Sequence, residues 1–108
     1  MVGAGQVLPA EFAALVADED VVTVNVHVPD EGSIPGTDAA IPFDRISTSV
    51  GDLPQELSTP LAVYCRTGQM SLEAVKTLQR LGYTDVVELR GGMEAWTADG
   101  RDLLIPAN

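Results

Sequence analysis

The chemistry available to this chain centres on one thiol. Cys65 is the single cysteine. It closes a short apolar run, Leu61-Ala62-Val63-Tyr64, that follows Pro60 and is partly β-branched, so the run reads as a buried strand. Six residues on, at Ser71, a helical pattern begins, with Ser71 expected as its cap and Glu73 in its first turn. Between strand and helix the chain must curl tightly, and Gly68 supplies the positive φ for that curl. Successive N–H groups in such a curl point inward and form an anion-binding nest. The helix N-terminus adds about half a positive charge on the same side. Thiols in that setting ionise more readily than free ones, and the neighbouring Arg66 is a permanent cation. The loop is thus expected to hold a thiolate, a persulfide or a small oxyanion. A lone cysteine after a strand is also what a small buried hydrophobe looks like; the loop composition and the helix start favour the reactive reading.

The elements that must position this loop are read from periodicity and punctuation. Gln6 to Leu8 is a short edge strand. Pro9 to Val16 is a helix with Pro9 at its first position and Phe12, Leu15 and Val16 on one face. Val21 to Val26 is apolar enough for a parallel strand covered on both faces, and it ends at His27. Ala39 to Ile41 is a short strand stopped by Pro42. Phe43 to Leu57 is the least defined stretch, because Ser, Thr and Gly weaken its helical spacing of Phe43, Ile46, Val50 and Leu53. After the cysteine loop a helix runs from Ser71 to Leu81, with Leu72, Ala74, Val75, Leu78 and Leu81 toward the core and Gly82 ending it. Asp85 to Leu89 is a strand; Gly91-Gly92 turns sharply into a short helix, Met93 to Trp96, with Trp96 as a core anchor whose N–H reaches a backbone acceptor. Alternating strands and helices predict an α/β fold with a parallel sheet between two helical layers. Sites in such sheets form beyond the carboxyl ends of the strands. His27, Cys65 and Gly91 each follow a strand, so they are expected on one rim.

Composition narrows the function. A chain of 108 residues is expected to be one domain, 1–108. One cysteine excludes an internal disulfide framework and supplies no thiol set for zinc, so neither a metal nor another cofactor is expected. Met1 to Gln6 carries no basic residue and no long apolar run, and no stretch approaches a membrane span, so a cytoplasmic protein is expected. The net charge is -10. Residues 1–57 hold ten acids and one base (-9), and residues 58–108 hold six acids and five bases (-1). Nucleic acid and anionic membranes are therefore poor partners. Salt screens the long-range repulsion of a small anion beyond roughly 8–10 Å, leaving the field of the loop to act locally.

Three motifs in order carry a family resemblance: Ile34-Pro35-Gly36-Thr37 with Ala40-Ile41-Pro42, then Val63-Tyr64-Cys65-Arg66-Thr67-Gly68, then Gly91-Gly92-Met93-Glu94-Ala95-Trp96. With them the chain resembles a single-domain rhodanese, a sulfurtransferase, over most of its length. The resemblance implies a three-layer sandwich around a mostly parallel sheet of about five strands. It also implies a persulfide cycle. Cys65 would take the outer sulfur of a donor such as thiosulfate and pass it to a thiol or cyanide. The backbone of Arg66, Thr67, Gly68, Gln69 and Met70 would cradle the negative sulfur, and the Arg66 side chain would hold the anionic part of the donor. The partners implied are a small anionic sulfur donor, a thiol acceptor and, in some settings, a protein acceptor of sulfur.

The chain departs from the family pattern on the rim. Asn25-Val26-His27 stands where the family often has Asp-Val-Arg, Ser33 where it has histidine, and Met70 where many loops have a second arginine. Each change removes charge and opens the site to a less anionic or protein-bound donor. His27 is either a pH-dependent partner of the donor or a hydrogen-bonded structural residue. Two rival functions remain. One is a sulfur-relay or binding module that needs a protein partner to turn over. The other is a cysteine phosphatase, disfavoured because its loop needs an arginine where Ser71 stands.

Overall fold

Short β-branched runs separated by helices leave the chain little choice but parallel pairing, since each return to the sheet must cross one of its faces. In the computed structural model, which describes residues 3–106, that is the outcome. The elements are β1 (Gly3–Val7), α1 (Pro9–Ala17), β2 (Val22–Asn25), β3 (Ala39–Ala40), β4 (Leu61–Tyr64), α2 (Gln69–Arg80), β5 (Asp85–Leu89) and α3 (Gly92–Ala98). The five strands lie in the order β1-β5-β4-β2-β3, and every pairing is parallel. β1 starts earlier than its apolar residues suggest, and Leu8 leaves the sheet to precede α1.

Two cores fill the two faces. On one, Phe12 of α1 and Met93 and Trp96 of α3 pack on Ala62, Tyr64 and Leu89. Phe12 meets Tyr64 and Trp96 edge-on, at centroid distances of 5.9 and 6.4 Å. On the other, Ala74, Val75 and Leu78 of α2, with Ile46 and Leu53, pack on Val24, Val63 and Val86. The stretch with weak helical spacing forms two single 3₁₀ turns, Ile46–Thr48 and Val50–Asp52. Ile46 and Leu53 are buried while Val50 is exposed. The expected anchor role of Trp96 holds: its Nε1–H donates to the Asp102 carbonyl at 2.9 Å.

One register feature matters for the site. α2 begins at Gln69, two residues before the expected start, with Gly68 (φ +113°) as the residue that enters it. Ser71 is therefore not a cap, and Glu73 lies beyond the first turn. Ser71, Ala74, Val75 and Leu78 form the buried stripe, and Leu72 faces outward, about half exposed. A serine hydroxyl thus occupies a place that periodicity assigns to a leucine. Past α2 the ending is as expected: Gly82 (φ +104°) follows Leu81, and the N–H groups of Gly82 and Tyr83 donate to the carbonyls of Gln79 and Leu78.

Candidate active site

Because all five strands run the same way, their carboxyl ends share one rim. Cys65 follows β4 at its centre. Two main-chain bonds fix the loop that carries it: Met93 N–H donates to the Cys65 carbonyl at 2.9 Å, and Glu94 N–H donates to the Arg66 carbonyl at 3.0 Å. This docking is why Gly91-Gly92 stands where it does. A Cβ on Gly92 (φ +60°) would lie 2.5 Å from the Cys65 carbonyl oxygen and from the Arg66 carbonyl. Only glycine allows the start of α3 to seat against the cysteine loop.

The sulfur is enclosed but polar in its contacts. Cys65 is 1% exposed. The Gly68 N–H donates to its Sγ at 2.9 Å, and the thiol reaches the Ser71 hydroxyl at 3.6 Å. The loop therefore directs an amide at the sulfur, at the mouth of a 12-residue helix whose first N–H groups have no helical acceptor. Of the other expected loop residues, Arg66, Thr67 and Gln69 have exposed side chains, whereas Met70 is half-buried against the α2-side core.

Arg66 is not free to wait for an anion. Its Nη1 pairs with Glu31 at 2.7 Å and its Nε with Glu94 at 3.3 Å. Glu31 in turn bonds the His27 ring. The hydrogen bond from His27, and after it that from Arg66, hold the Glu31 carboxyl below the usual carboxylate range. The three rim positions converge as expected, but His27 contacts Glu31 and not the thiol. Asn25 explains part of the local sequence. Its Nδ2 donates to the Gly32 carbonyl at 3.0 Å while its Oδ1 accepts the His27 N–H at 3.0 Å. An aspartate there has no donor for Gly32. A cavity of about 290 Å³ opens beside Arg66, lined by Glu31, Met93, Glu94, Thr97 and Leu103.

Beneath the sulfur lies a residue that periodicity did not single out. Glu88 of β5 is 1% exposed. Its Oε2 accepts from the Ser71 hydroxyl at 2.5 Å and its Oε1 from Gln6 Nε2 at 2.5 Å. The signal was present: a carboxylate in a strand covered on both faces has no solvent side to turn to.

Comparison with known proteins decides the family. The rhodanese-like domain family matches residues 8–99. The chain belongs to the rhodanese-like family. A sulfurtransferase of Allochromatium vinosum is 33% identical over 95 residues, covering 85% of this chain and 86% of the relative. A thiosulfate sulfurtransferase of Pseudoalteromonas translucida is 29% identical, covering 82% of this chain and 85% of the relative. A rhodanese-related protein of Thermoplasma volcanium superposes with a TM-score of 0.77 at 25% identity, covering 94% of this chain and 99% of that one. The fold is thus the rhodanese-like sandwich that the three motifs implied, with a sheet that is wholly parallel. The chain is a rhodanese-like sulfurtransferase by family. Among the described residues no cluster of His, Cys, Asp and Glu suits a metal ion, and no helix is long and apolar enough to cross a membrane.

Proposed function

We propose that this protein moves sulfane sulfur through a persulfide on Cys65, with thiosulfate as a competent donor. The Cys65 thiolate attacks the outer sulfur of thiosulfate; the S–S bond breaks and sulfite leaves with its electron pair. An acceptor thiolate, or cyanide in an assay, then attacks the terminal sulfur and returns Cys65 to the thiolate. The observation that carries this reading is the Gly68 N–H aimed at Sγ from the start of α2. A fixed donor placed where negative charge develops is often a large catalytic term. The backbone of Arg66 to Met70 holds the persulfide, and Arg66 meets the anionic end of the donor. A free thiol kept for this cycle suits the reducing cytoplasm.

A second reading has its own support. Arg66 is held by two carboxylates, so the rim offers a small dianion little net positive charge. That favours a relay domain that takes sulfur from, or gives it to, a protein. Steady-state turnover of thiosulfate and cyanide separates the two. Sustained turnover that vanishes in Cys65→Ser supports the enzyme; one equivalent transferred and then a stall supports the relay; turnover that survives Cys65→Ser overturns both.

A further inference from the structure

Glu88 is the one fully buried carboxylate among the described residues, and no cation among them pairs with it. Burying a charge is costly unless other groups compensate. Here two neutral donors, Gln6 Nε2 and the Ser71 hydroxyl, satisfy its two oxygens at 2.5 Å each. Ser71 has a single proton and two acceptors in reach, Gly68 O at 3.1 Å and Glu88 Oε2 at 2.5 Å. The shorter, charge-assisted bond takes it. The hydroxyl oxygen is then left open to accept from the Cys65 thiol, 3.6 Å away. The hydrogens run one way: from sulfur to Ser71 and from Ser71 to the carboxylate.

We infer that Glu88 is the proton acceptor for Cys65, acting through Ser71. The S–H proton passes to Ser71 Oγ as the Oγ proton passes to Glu88 Oε2. A thiol and a carboxylate become a thiolate and a carboxylic acid, and the net charge of the group stays at minus one. When the persulfide gives up its sulfur the regenerated thiolate takes the proton back. A sulfur so enclosed has little bulk water to receive its proton, so an internal acceptor has a clear use. Glu88 touches no reacting atom; it is a positioning residue that prepares the nucleophile. Gln6 holds the carboxylate in place from β1.

The other charged groups around the pair do not compete for this role. On the loop, Arg66 turns outward to Glu31 and Glu94, and His27 is bonded to Glu31. On α2, Glu73, Lys76 and Arg80 lie on the exposed side, and Arg90 at the end of β5 is exposed.

The inference deepens the proposed persulfide role of Cys65, and its test needs no sulfur donor. The rate of iodoacetamide alkylation of Cys65 is followed against pH by intact mass. With an internal acceptor the rate is expected to level off as the pH falls, because the pair shares one proton. Glu88→Gln removes the acceptor, and Ser71→Ala removes the hydroxyl that bridges the shared proton while leaving the carboxylate. Both are expected to abolish the level region, so that the rate falls about tenfold per pH unit. Ser71→Thr keeps the hydroxyl and is expected to keep the level region. If Glu88→Gln does not fold, Ser71→Ala and Ser71→Thr decide alone. A wild-type profile that follows one ionisation, or a level region that survives in Glu88→Gln or Ser71→Ala, overturns the inference. A simple like-charge effect of Glu88 would move the Glu88→Gln profile the other way, toward lower pH. Failure here leaves the persulfide reading intact, and absence of a persulfide in a normally alkylated protein fails that reading alone.

Discussion

At the scale of single residues, the site is a balance of two kinds of carboxylate. Glu31 and Glu94 neutralise Arg66 from the solvent side, whereas Glu88 sits behind the sulfur. The exposed pair sets what Arg66 can bind. Glu31→Gln and Glu94→Gln together free the guanidinium and are expected to lower the KM for thiosulfate a few-fold, while Arg66→Ala raises it. Unchanged KM in both would make Arg66 structural. The pH behaviour follows from the direction of the Glu31 shift. A carboxyl held below its usual range stays charged down through that range, about pH 4.3–4.5, and loses its contribution only as pH falls further. NMR titration of the Glu31 carboxyl should therefore show a depressed midpoint. His27→Ala and Arg66→Ala should each return it part of the way toward the usual value, because both bonds hold it down.

At the scale of elements, the strand-loop-helix unit works because α3 is docked against it. Gly92→Ala is expected to cost about 2–4 kcal/mol in chemical denaturation and to abolish sulfur transfer, since the new methyl meets backbone it cannot displace. Gly51→Ala, with nothing within 4 Å of its Cβ and no positive φ, is the matched control. β4 is also tied on the face that α3 covers, through Tyr64, whose hydroxyl accepts the Ile34 N–H at 2.9 Å and bonds Thr37 at 2.7 Å. Tyr64→Phe leaves the buried Ile34 N–H without its partner, and about 1–3 kcal/mol of stability should be lost. Burial also pushes the Tyr64 hydroxyl above its ordinary value of 10.0. A raised phenol is neutral in the fold, so its contribution is whole below pH 10 and is lost as pH rises beyond it. Tyr64→Phe should remove that alkaline component of unfolding.

These elements also show what the sequence makes legible. The parallel sheet, the three layers and the cysteine loop follow from short β-branched runs, helical spacing and glycine pairs, because backbone pairing and burial act on those patterns directly. α2 starts two residues before the position its sequence suggests, because Ser71 has the chemistry of a cap while Gly68 enters the helix by conformation alone. Once Ser71 is taken for a cap, Leu72 falls on the wrong face and the buried hydroxyl disappears from view. The burial of Glu88 is legible from its strand, but its partner Gln6 is not. Their meeting across β1 and β5 depends on the parallel register Gln6↔Glu88, which no local pattern states. The Glu31–Arg66–Glu94 cluster joins residues 28 and 35 positions from Arg66, and only the folded rim brings them together.

At the scale of the whole molecule, a net charge of -10 faces any anionic donor. Repulsion beyond a Debye length is screened by salt, while the hydrogen bonds of the loop are not. The kcat/KM for thiosulfate should therefore rise with ionic strength, and a fall would mean that local attraction by Arg66 outweighs the global field. The most direct test of the central claim is the mass of the intact protein after incubation with thiosulfate. The account predicts a gain of one sulfur atom on Cys65, removed by cyanide and absent in Cys65→Ser. A protein that iodoacetamide alkylates at Cys65 but that gains no sulfur from thiosulfate or any other sulfane donor would contradict it.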